Sequence, residues 1–271
     1  QIRIENVRKE FGSFTAVQSS SFTIEDGNNG NNYVVSQNTA SGTIQKANLT
    51  VTATQLEKTY DGTTTATGSG TVGTLAGQAA GESVNAAGSQ AFLSKNAGQA
   101  NKYVRASGVT IKDSANADVT SNYDISYIDN TSSTIHKADL VVSLADQTKV
   151  YDGTTTVTLA SSAFTATGVT VGGVTESATV KSTTGTYNDK NVASAHTVTA
   201  TLSGADFSSG TADVSNYNLP ASVSNTSSTI TKANLAVTLA NQTKVYDGNA
   251  NATLAAGAIT ATGVTVGGVT E

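Results

Sequence analysis

The sequence predicts an all-β protein: tandem small β-sandwich-like domains, Ig-like or related, arranged as a rod. β-Branched Thr and Val are abundant and favour strands, while 25 glycines and many asparagines supply turns. Apolar and polar residues alternate in short runs, as they do in half-buried strands. A landmark motif returns at domain-sized rather than solenoid-sized intervals. Together these observations predict compact β domains of about ninety residues each.

The landmark is Lys58-Thr-Tyr-Asp-Gly-Thr-Thr-Thr65, which returns as Lys149-Val-Tyr-Asp-Gly-Thr-Thr-Thr156 and as Lys244-Val-Tyr-Asp-Gly248. Its tyrosines stand at 60, 151 and 246, which gives intervals of 91 and 95 residues. We interpret the motif as a structural repeat marker, carried by Lys58, Tyr60, Asp61, Gly62, Lys149, Tyr151, Asp152, Gly153, Lys244, Tyr246, Asp247 and Gly248.

A second landmark sets the domain boundaries. An Asn-Tyr pair precedes Ile-x-Lys-Ala-Asn/Asp-Leu three times, and the lysines of that hexapeptide are Lys46, Lys137 and Lys232. The sequence therefore predicts the C-terminal part of a repeat at 1–46, complete repeats at 47–137 and 138–232, and the N-terminal part of a repeat at 233–271. The junctions contain neither Gly nor Pro, so we expect short, stiff joints.

The strands follow from alternation. Each repeat opens with one strand, at 47–53, 138–144 and 233–239. In the second repeat, further strands are predicted at 154–159, 165–171, 178–180, 196–202 and 217–219. Turn residues such as Gly172-Gly173 separate them.

Composition excludes several classes of function. The chain has no cysteine, so disulfides, thiolate catalysis and cysteine-ligated zinc are excluded. The net charge of −5 leaves no basic face for nucleic acid. No apolar run approaches the roughly 20 residues of a membrane helix, so we expect no membrane insertion. Gln1 does not open a signal peptide, and we expect any export signal to lie outside this sequence.

The two landmarks in tandem resemble the YDG-type repeats of very large bacterial surface exoproteins, among them filamentous-haemagglutinin-like adhesins. The resemblance implies an extracellular location at the bacterial cell surface and a role in a stalk or fibre. It implies no enzyme activity. We also expect no cofactor, apart from the alternative of a structural calcium ion. Expected partners are neighbouring repeats of the same or identical chains, with host or biofilm surfaces reached through regions outside this sequence.

Each candidate site has a structural alternative. Asp-Gly favours a turn, and we expect the preceding tyrosine to be buried with its hydroxyl group hydrogen-bonded to a backbone group. A binding loop, a structural calcium ion at the turn aspartates, and an amide bond between the repeated Lys and Asn residues remain alternatives. His136 and His196 occupy non-equivalent positions in the repeat, which does not indicate catalysis.

Three functions remain open. The first is a stiff spacer in an adhesin stalk. The second is a filament module that polymerises head to tail, with half repeats of neighbouring chains completing each other by strand addition. The third is a glycan-binding module, for which nine tyrosines and no tryptophan offer a poor stacking surface.

Overall fold

A computed structural model describes residues 2–11, 14–24, 32, 34 and 42–270, with side chains at 32, 34 and 42–270. The chain divides into two compact units, Gln1–Gln45 and Lys46–Glu271. Within the described residues, strands dominate and the only helices are five short 3-10 helices. The prediction of an all-β protein with small tandem domains is confirmed. The predicted boundaries of the repeats and their arrangement as a rod stay predictions.

Among the described residues of the unit Gln1–Gln45, β1 (Ile2–Phe11) and β2 (Phe14–Ile24) form an antiparallel pair. The register shifts at three places along the pair, so its ladder of hydrogen bonds is irregular.

The first complete repeat contains nine strands and two 3-10 helices. In chain order they are β3 (Ala47–Thr52), β4 (Glu57–Thr59), β5 (Thr71–Val72), η1 (Gln78–Ala80), β6 (Ser83–Ala86), β7 (Ser89–Phe92), β8 (Gly98–Ser107), β9 (Thr110–Lys112), η2 (Thr120–Asn122), β10 (Tyr123–Ile128) and β11 (Asn130–His136). They form the sheets β10-β3-β5 and β4-β11-β8-β7 and the pair β6-β9.

The second complete repeat begins with β12 (Ala138–Asp139) and ends with β23 (Thr229–Thr231). Between them lie β13 (Val141–Leu144), β14 (Thr148–Val150), β15 (Thr156–Leu159), η3 (Ser161–Ala163), β16 (Phe164–Val171), β17 (Val174–Val180), β18 (Thr183–Tyr187), β19 (Val198–Thr201), η4 (Gly204–Asp206), β20 (Phe207–Ser209), η5 (Val214–Asn216), β21 (Tyr217–Asn218) and β22 (Ser222–Asn225). Two four-stranded sheets, β13-β16-β17-β20 and β15-β18-β19-β22, bury their apolar residues in one common cluster, as a sandwich does.

The remaining segment is shorter. It contains β24 (Ala236–Leu239), β25 (Ile259–Thr262), β26 (Thr265–Val266) and β27 (Val269–Thr270), which form two antiparallel pairs.

Parallel pairing joins the beginning of each complete repeat to its end. In the first repeat, β3 pairs with β10 and β4 pairs with β11, and both pairs are parallel. In the second repeat, β12 pairs with β21 and β14 pairs with β23 in the same way. Because these strands are far apart in sequence, the first part of a repeat is completed only when its last part adds to it.

The hydrophobic core runs through both complete repeats. One cluster of buried side chains includes Val51, Phe92 and Val104 of the first repeat together with Leu159 and Val198 of the second. The side chains at the junction belong to the same cluster, so the two repeats are packed against each other.

Candidate functional site

The Lys-x-Tyr-Asp-Gly motif forms a compact loop held by its own side chains. In the first copy, Lys58 Nζ lies 2.7 Å from Asp61 Oδ1 and donates to the carbonyl oxygens of Thr63 and Thr65 at 2.9 and 3.0 Å. The same Asp61 oxygen accepts the Thr63 N–H at 2.9 Å. Gly62 has a φ of +74°, which glycine adopts without steric cost. The motif is therefore a self-contained turn, as the Asp-Gly pair predicts.

The other two copies have the same geometry. Lys149 lies 2.7 Å from Asp152 and donates to the carbonyl oxygens of Thr154 and Thr156. Lys244 lies 2.7 Å from Asp247 and donates to the carbonyl oxygens of Asn249 and Asn251, which stand in place of the threonines. The loop thus forms without the Thr residues of the first two copies.

The lysine also controls the ionisation of the aspartate beside it. Burial raises the pKa of Asp61, but hydrogen bonds from Lys58 and Thr63 outweigh burial and hold this pKa below its usual value. Hydrogen bonds from Lys149 and Thr154 lower the pKa of Asp152 in the same way. Each carboxylate is already occupied by donors within its own loop.

The three tyrosines differ in their surroundings. Tyr60 is 2% exposed, Tyr151 is half-buried and Tyr246 is 92% exposed. The prediction of a buried tyrosine is confirmed for Tyr60 and wrong for Tyr246. The physical reason is that Tyr60 lies between two complete repeats, whereas no described residue covers the ring of Tyr246.

Tyr60 reaches out of its own repeat and into the next. Its hydroxyl group donates to the carboxylate of Glu176, at 3.0 Å from Oε1 and 3.3 Å from Oε2, so the prediction of a backbone partner is wrong for Tyr60. The hydroxyl group of Tyr217 donates to Glu176 Oε2 at 2.6 Å. The rings of Tyr60 and Tyr217 meet edge to face, with centroids 5.4 Å apart and an interplanar angle of 76°. One buried carboxylate therefore holds a tyrosine from each of two successive repeats.

The cluster changes the ionisation of both phenols. Burial, the hydrogen bond to Glu176 and the charge of Glu176 raise the pKa of Tyr60 to about 12. The same causes, in the same order of importance, raise the pKa of Tyr217. Because an anionic phenolate would face an anionic carboxylate in a buried place, both tyrosines stay neutral donors.

Two further contacts join the repeats at this place. The Ala97 N–H donates to Asn216 Oδ1 at 2.9 Å, which ties the first repeat to the residue preceding Tyr217. A Cβ atom on Gly62 would lie 2.3 Å from Val171 Cγ2, so the turn of the motif fits closely against the second repeat. Gly153 lies equally close to Val266, with a corresponding distance of 2.1 Å. We call the set Tyr60, Gly62, Ala97, Val171, Glu176, Asn216 and Tyr217 the repeat joint.

The first repeat contains the same tyrosine–glutamate pair within itself. Tyr123, the counterpart of Tyr217, donates to Glu82, the counterpart of Glu176. The Gly77 N–H donates to the Tyr123 hydroxyl oxygen at 3.0 Å, just as the Val169 N–H donates to that of Tyr217 at 3.0 Å. The Glu–Tyr pair thus belongs to each complete repeat, and the tyrosine of the preceding motif adds to it at the joint.

The sequence analysis did not identify Glu82 or Glu176 as a site residue. A signal was present, since Glu82 and Glu176 occupy comparable positions in the two complete repeats and Glu176 follows Val174-Thr175 and precedes Ser177-Ala-Thr-Val180. An acidic residue that recurs at an equivalent position beside β-branched residues indicates a buried hydrogen-bonding partner.

The remaining candidate sites can be located as well. Among the residues with described side chains, no group of three or more His, Cys, Asp or Glu residues is arranged to hold a metal ion. The contacts of Lys58 Nζ are with its own loop and with the Phe92 ring, not with Asn122. His136 is exposed and lies 3.3 Å from Glu57. In the described part of the chain, no helix is long and apolar enough to cross a membrane.

Fold and site together define a tandem-repeat β protein whose repeats are joined by a motif tyrosine. The YDG domain model matches residues 45–133 and 136–226. The chain therefore belongs to the YDG domain family and carries two of these domains in tandem. Neither a curated protein nor a solved structure matches the chain.

Proposed function

We propose that this chain is a structural segment of the stalk or fibre of an extracellular bacterial adhesin, in which the YDG domains act as a stiff spacer. In this role the chain is not an enzyme, and it lies at the bacterial cell surface. Its mechanism is mechanical, because successive domains keep a fixed orientation and so hold a distal binding region away from the cell.

The observation that carries the proposal is the repeat joint. A spacer transmits direction only if rotation between neighbouring domains is restrained. A free linker would allow the two repeats to reorient, as domains with small polar interfaces do. Here, the buried carboxylate of Glu176 binds Tyr60 and Tyr217 at once, and the two rings are in contact. Hydrogen bonds to a charged acceptor are short and directional, so they resist such rotation.

The composition supports the same role. The chain carries a net charge of −5, which limits its association with unrelated surfaces. The loops of the motif direct their Lys and Asp side chains toward each other rather than toward a ligand.

Spin labels can test whether the joint is stiff. Because the chain has no cysteine, single cysteines at the exposed positions Asn101 and Thr201 label one site in each complete repeat. We expect a narrow distribution of distances between the two labels by pulsed electron paramagnetic resonance. The Tyr60→Ala variant should broaden it, because the ring and its hydrogen bonds to Glu176 are lost.

Two controls make the result specific. Tyr246→Ala removes the same side chain from an exposed copy of the motif and should leave the distribution unchanged. A label pair within the first repeat, at Ser89 and Asn101, should stay narrow in every variant. A broad distribution in the unmodified chain would contradict the stiff-spacer proposal.

A further inference from the structure

Each complete repeat ties its first part to its last strand by a parallel pair. In the second repeat, β14 (Thr148–Val150) runs parallel to β23 (Thr229–Thr231). In the first repeat, β4 (Glu57–Thr59) runs parallel to β11 (Asn130–His136) in the same way. One ladder of backbone hydrogen bonds therefore connects the two ends of a repeat to each other. We call these two strand pairs the terminal ladders.

Tension along the chain passes through the terminal ladders. The second repeat begins with β12 (Ala138–Asp139), which is itself parallel to β21 (Tyr217–Asn218), and it ends with β23. A pull on both ends of the repeat draws its first strands toward their N-terminal ends and its last strands toward their C-terminal ends. Because parallel strands point the same way, the two pulls slide the strands past each other along their common direction.

Such sliding loads the bonds of a ladder together. The hydrogen bonds of a parallel pair are evenly spaced along the strands, so a pull along the strands stretches all of them at once. A pull across the strands instead opens the bonds one after another, starting at one end. Backbone bonds of 2.8–2.9 Å close both ends of each ladder, from the N–H groups of Thr229, Tyr151, Thr134 and Tyr60 to the carbonyl oxygens of Gln147, Thr231, Leu56 and His136, respectively.

A buried tyrosine adds a further bond to the terminal ladder of the second repeat. The Tyr187 side chain is 2% exposed. Its hydroxyl oxygen lies 3.0 Å from the carbonyl oxygen of Gln147 and 2.9 Å from that of Thr229. Gln147 directly precedes β14, and Thr229 is the first residue of β23. The hydroxyl group thus bridges the two strands that tension would slide apart.

Phenylalanine occupies the equivalent position in the first repeat. Phe92 and Tyr187 each stand three residues before a Lys-Asn pair, Lys95-Asn96 and Lys190-Asn191. Their backbone positions agree as well, because each N–H group donates to the Lys-x-Tyr-Asp-Gly-Thr-Thr-Thr motif of its own repeat. Phe92 is 3% exposed, so its ring is buried like that of Tyr187 but carries no hydroxyl group. The two repeats therefore differ in one bond across the ladder.

We propose that the terminal ladders are mechanical clamps, which keep each YDG domain folded under tension along the chain, and that Tyr187 strengthens the clamp of the second repeat. Forced unfolding is governed by the rate at which the folded state crosses its barrier, so bonds that must break together determine the resistance. Bearing load is a further function, independent of the spacer proposal. A spacer needs a fixed orientation between repeats, whereas each clamp acts within one repeat.

Pulling the intact 271-residue chain in optical tweezers tests the clamp, because the chain has no cysteine and handles can be attached at chosen cysteine pairs. Lys137→Cys with Lys232→Cys, both at exposed positions, loads the second repeat along the chain, so its ladder slides. Val150→Cys with Lys232→Cys pulls apart the C-terminal ends of β14 and β23, so the same ladder opens from that end. At least two bonds break together in the first geometry, and we expect a rupture force at least about twofold higher there.

Exchanging the two aromatic residues tests the hydroxyl bridge. At a fixed force along the chain, Tyr187→Phe should unfold the second repeat about 5-fold faster, because one hydrogen bond across the ladder is lost. The first repeat of the same variant, pulled through Lys46→Cys and Lys137→Cys, is the internal control and should unfold at the unchanged rate. Phe92→Tyr should slow the unfolding of the first repeat by a similar factor.

Each result decides one part of the proposal. Equal rupture forces in the two pulling geometries would overturn the clamp, and this comparison needs substitutions at exposed positions only. Equal unfolding rates of the second repeat with tyrosine and with phenylalanine at position 187 would overturn the role of Tyr187. A broad distance distribution between spin labels in the two repeats would refute the spacer proposal and leave both of these outcomes unaffected.

Discussion

Replacing Tyr60 with phenylalanine isolates the hydrogen bonds of the repeat joint. The substitution removes one oxygen atom and keeps the ring that packs against Tyr217. The lost contacts are the 3.0 and 3.3 Å hydrogen bonds to the Glu176 carboxylate. Tyr246→Phe is the matched control, because it removes the same atom from the same motif at a residue that is 92% exposed.

The structure sets the expected magnitude. A hydrogen bond to a charged group contributes about 1.5–3 kcal/mol to stability. Glu176 keeps its 2.6 Å bond from Tyr217, so the carboxylate is not left without a donor. We therefore expect the lower part of that range, about 1.5–2 kcal/mol, for Tyr60→Phe. Tyr60→Ala also removes the buried ring and should cost about 3–5 kcal/mol. Tyr246→Phe should change the stability by less than about 0.5 kcal/mol.

Hydrogen exchange of the Ala97 amide measures this effect at the joint itself. The Ala97 N–H is bonded to Asn216 across the junction, so it exchanges when the joint opens. A loss of 1.5–2 kcal/mol should accelerate its exchange roughly 10- to 30-fold. A double-mutant cycle with Glu176→Gln should give a coupling energy of at least about 0.5 kcal/mol. Unchanged exchange at Ala97 in Tyr60→Phe, or full additivity in the cycle, would refute the assignment of Tyr60 as a bond between repeats.

Two further predictions concern the same joint. Gly62→Ala should destabilise the chain more than Gly248→Ala, by about 1–3 kcal/mol in urea denaturation. Both glycines have positive φ, but only at Gly62 would an added Cβ atom clash with a neighbour, Val171. Equal losses of stability in the two variants would contradict the close fit. The pKa of Tyr60 is raised from 10.0 to about 12 in the folded chain, so unfolding between pH 10 and pH 12 releases a proton from Tyr60. The contribution of neutral Tyr60 to the free energy of unfolding is therefore fully present below pH 10 and falls as the pH rises toward 12. Tyr60→Phe should make this alkaline decline of the denaturation midpoint shallower, and identical slopes for variant and parent would contradict it.

Sequence reasoning was strongest where the information is local. The loop at Lys244, Asp247 and Gly248 closes in the same way as those of the complete repeats, although the tyrosine beside it is exposed. Lysine, aspartate and glycine at this spacing suffice for the turn, because the lysine and the aspartate bond within the loop and glycine accepts positive φ. The all-β class followed from alternation and turn residues for the same reason.

The pairing of distant strands could not be read from the sequence. Alternation indicates that residues 47–52 form a strand, but not that this strand adds in parallel to Tyr123–Ile128. Such pairing depends on which edges and apolar faces meet after the chain folds.

The amino-acid sequence alone determined the β class, the repeat period and the closed Lys-x-Tyr-Asp-Gly turn, because each depends on residues that are neighbours in the chain. Only the tertiary structure decided what the motif tyrosine does. Tyr60 and Glu176 are separated by 116 residues, and their hydrogen bond exists because two repeats pack together. The same residue type is exposed at Tyr246, where no described residue covers it. Burial is a property of the assembled neighbours, and a repeated motif cannot encode it by itself.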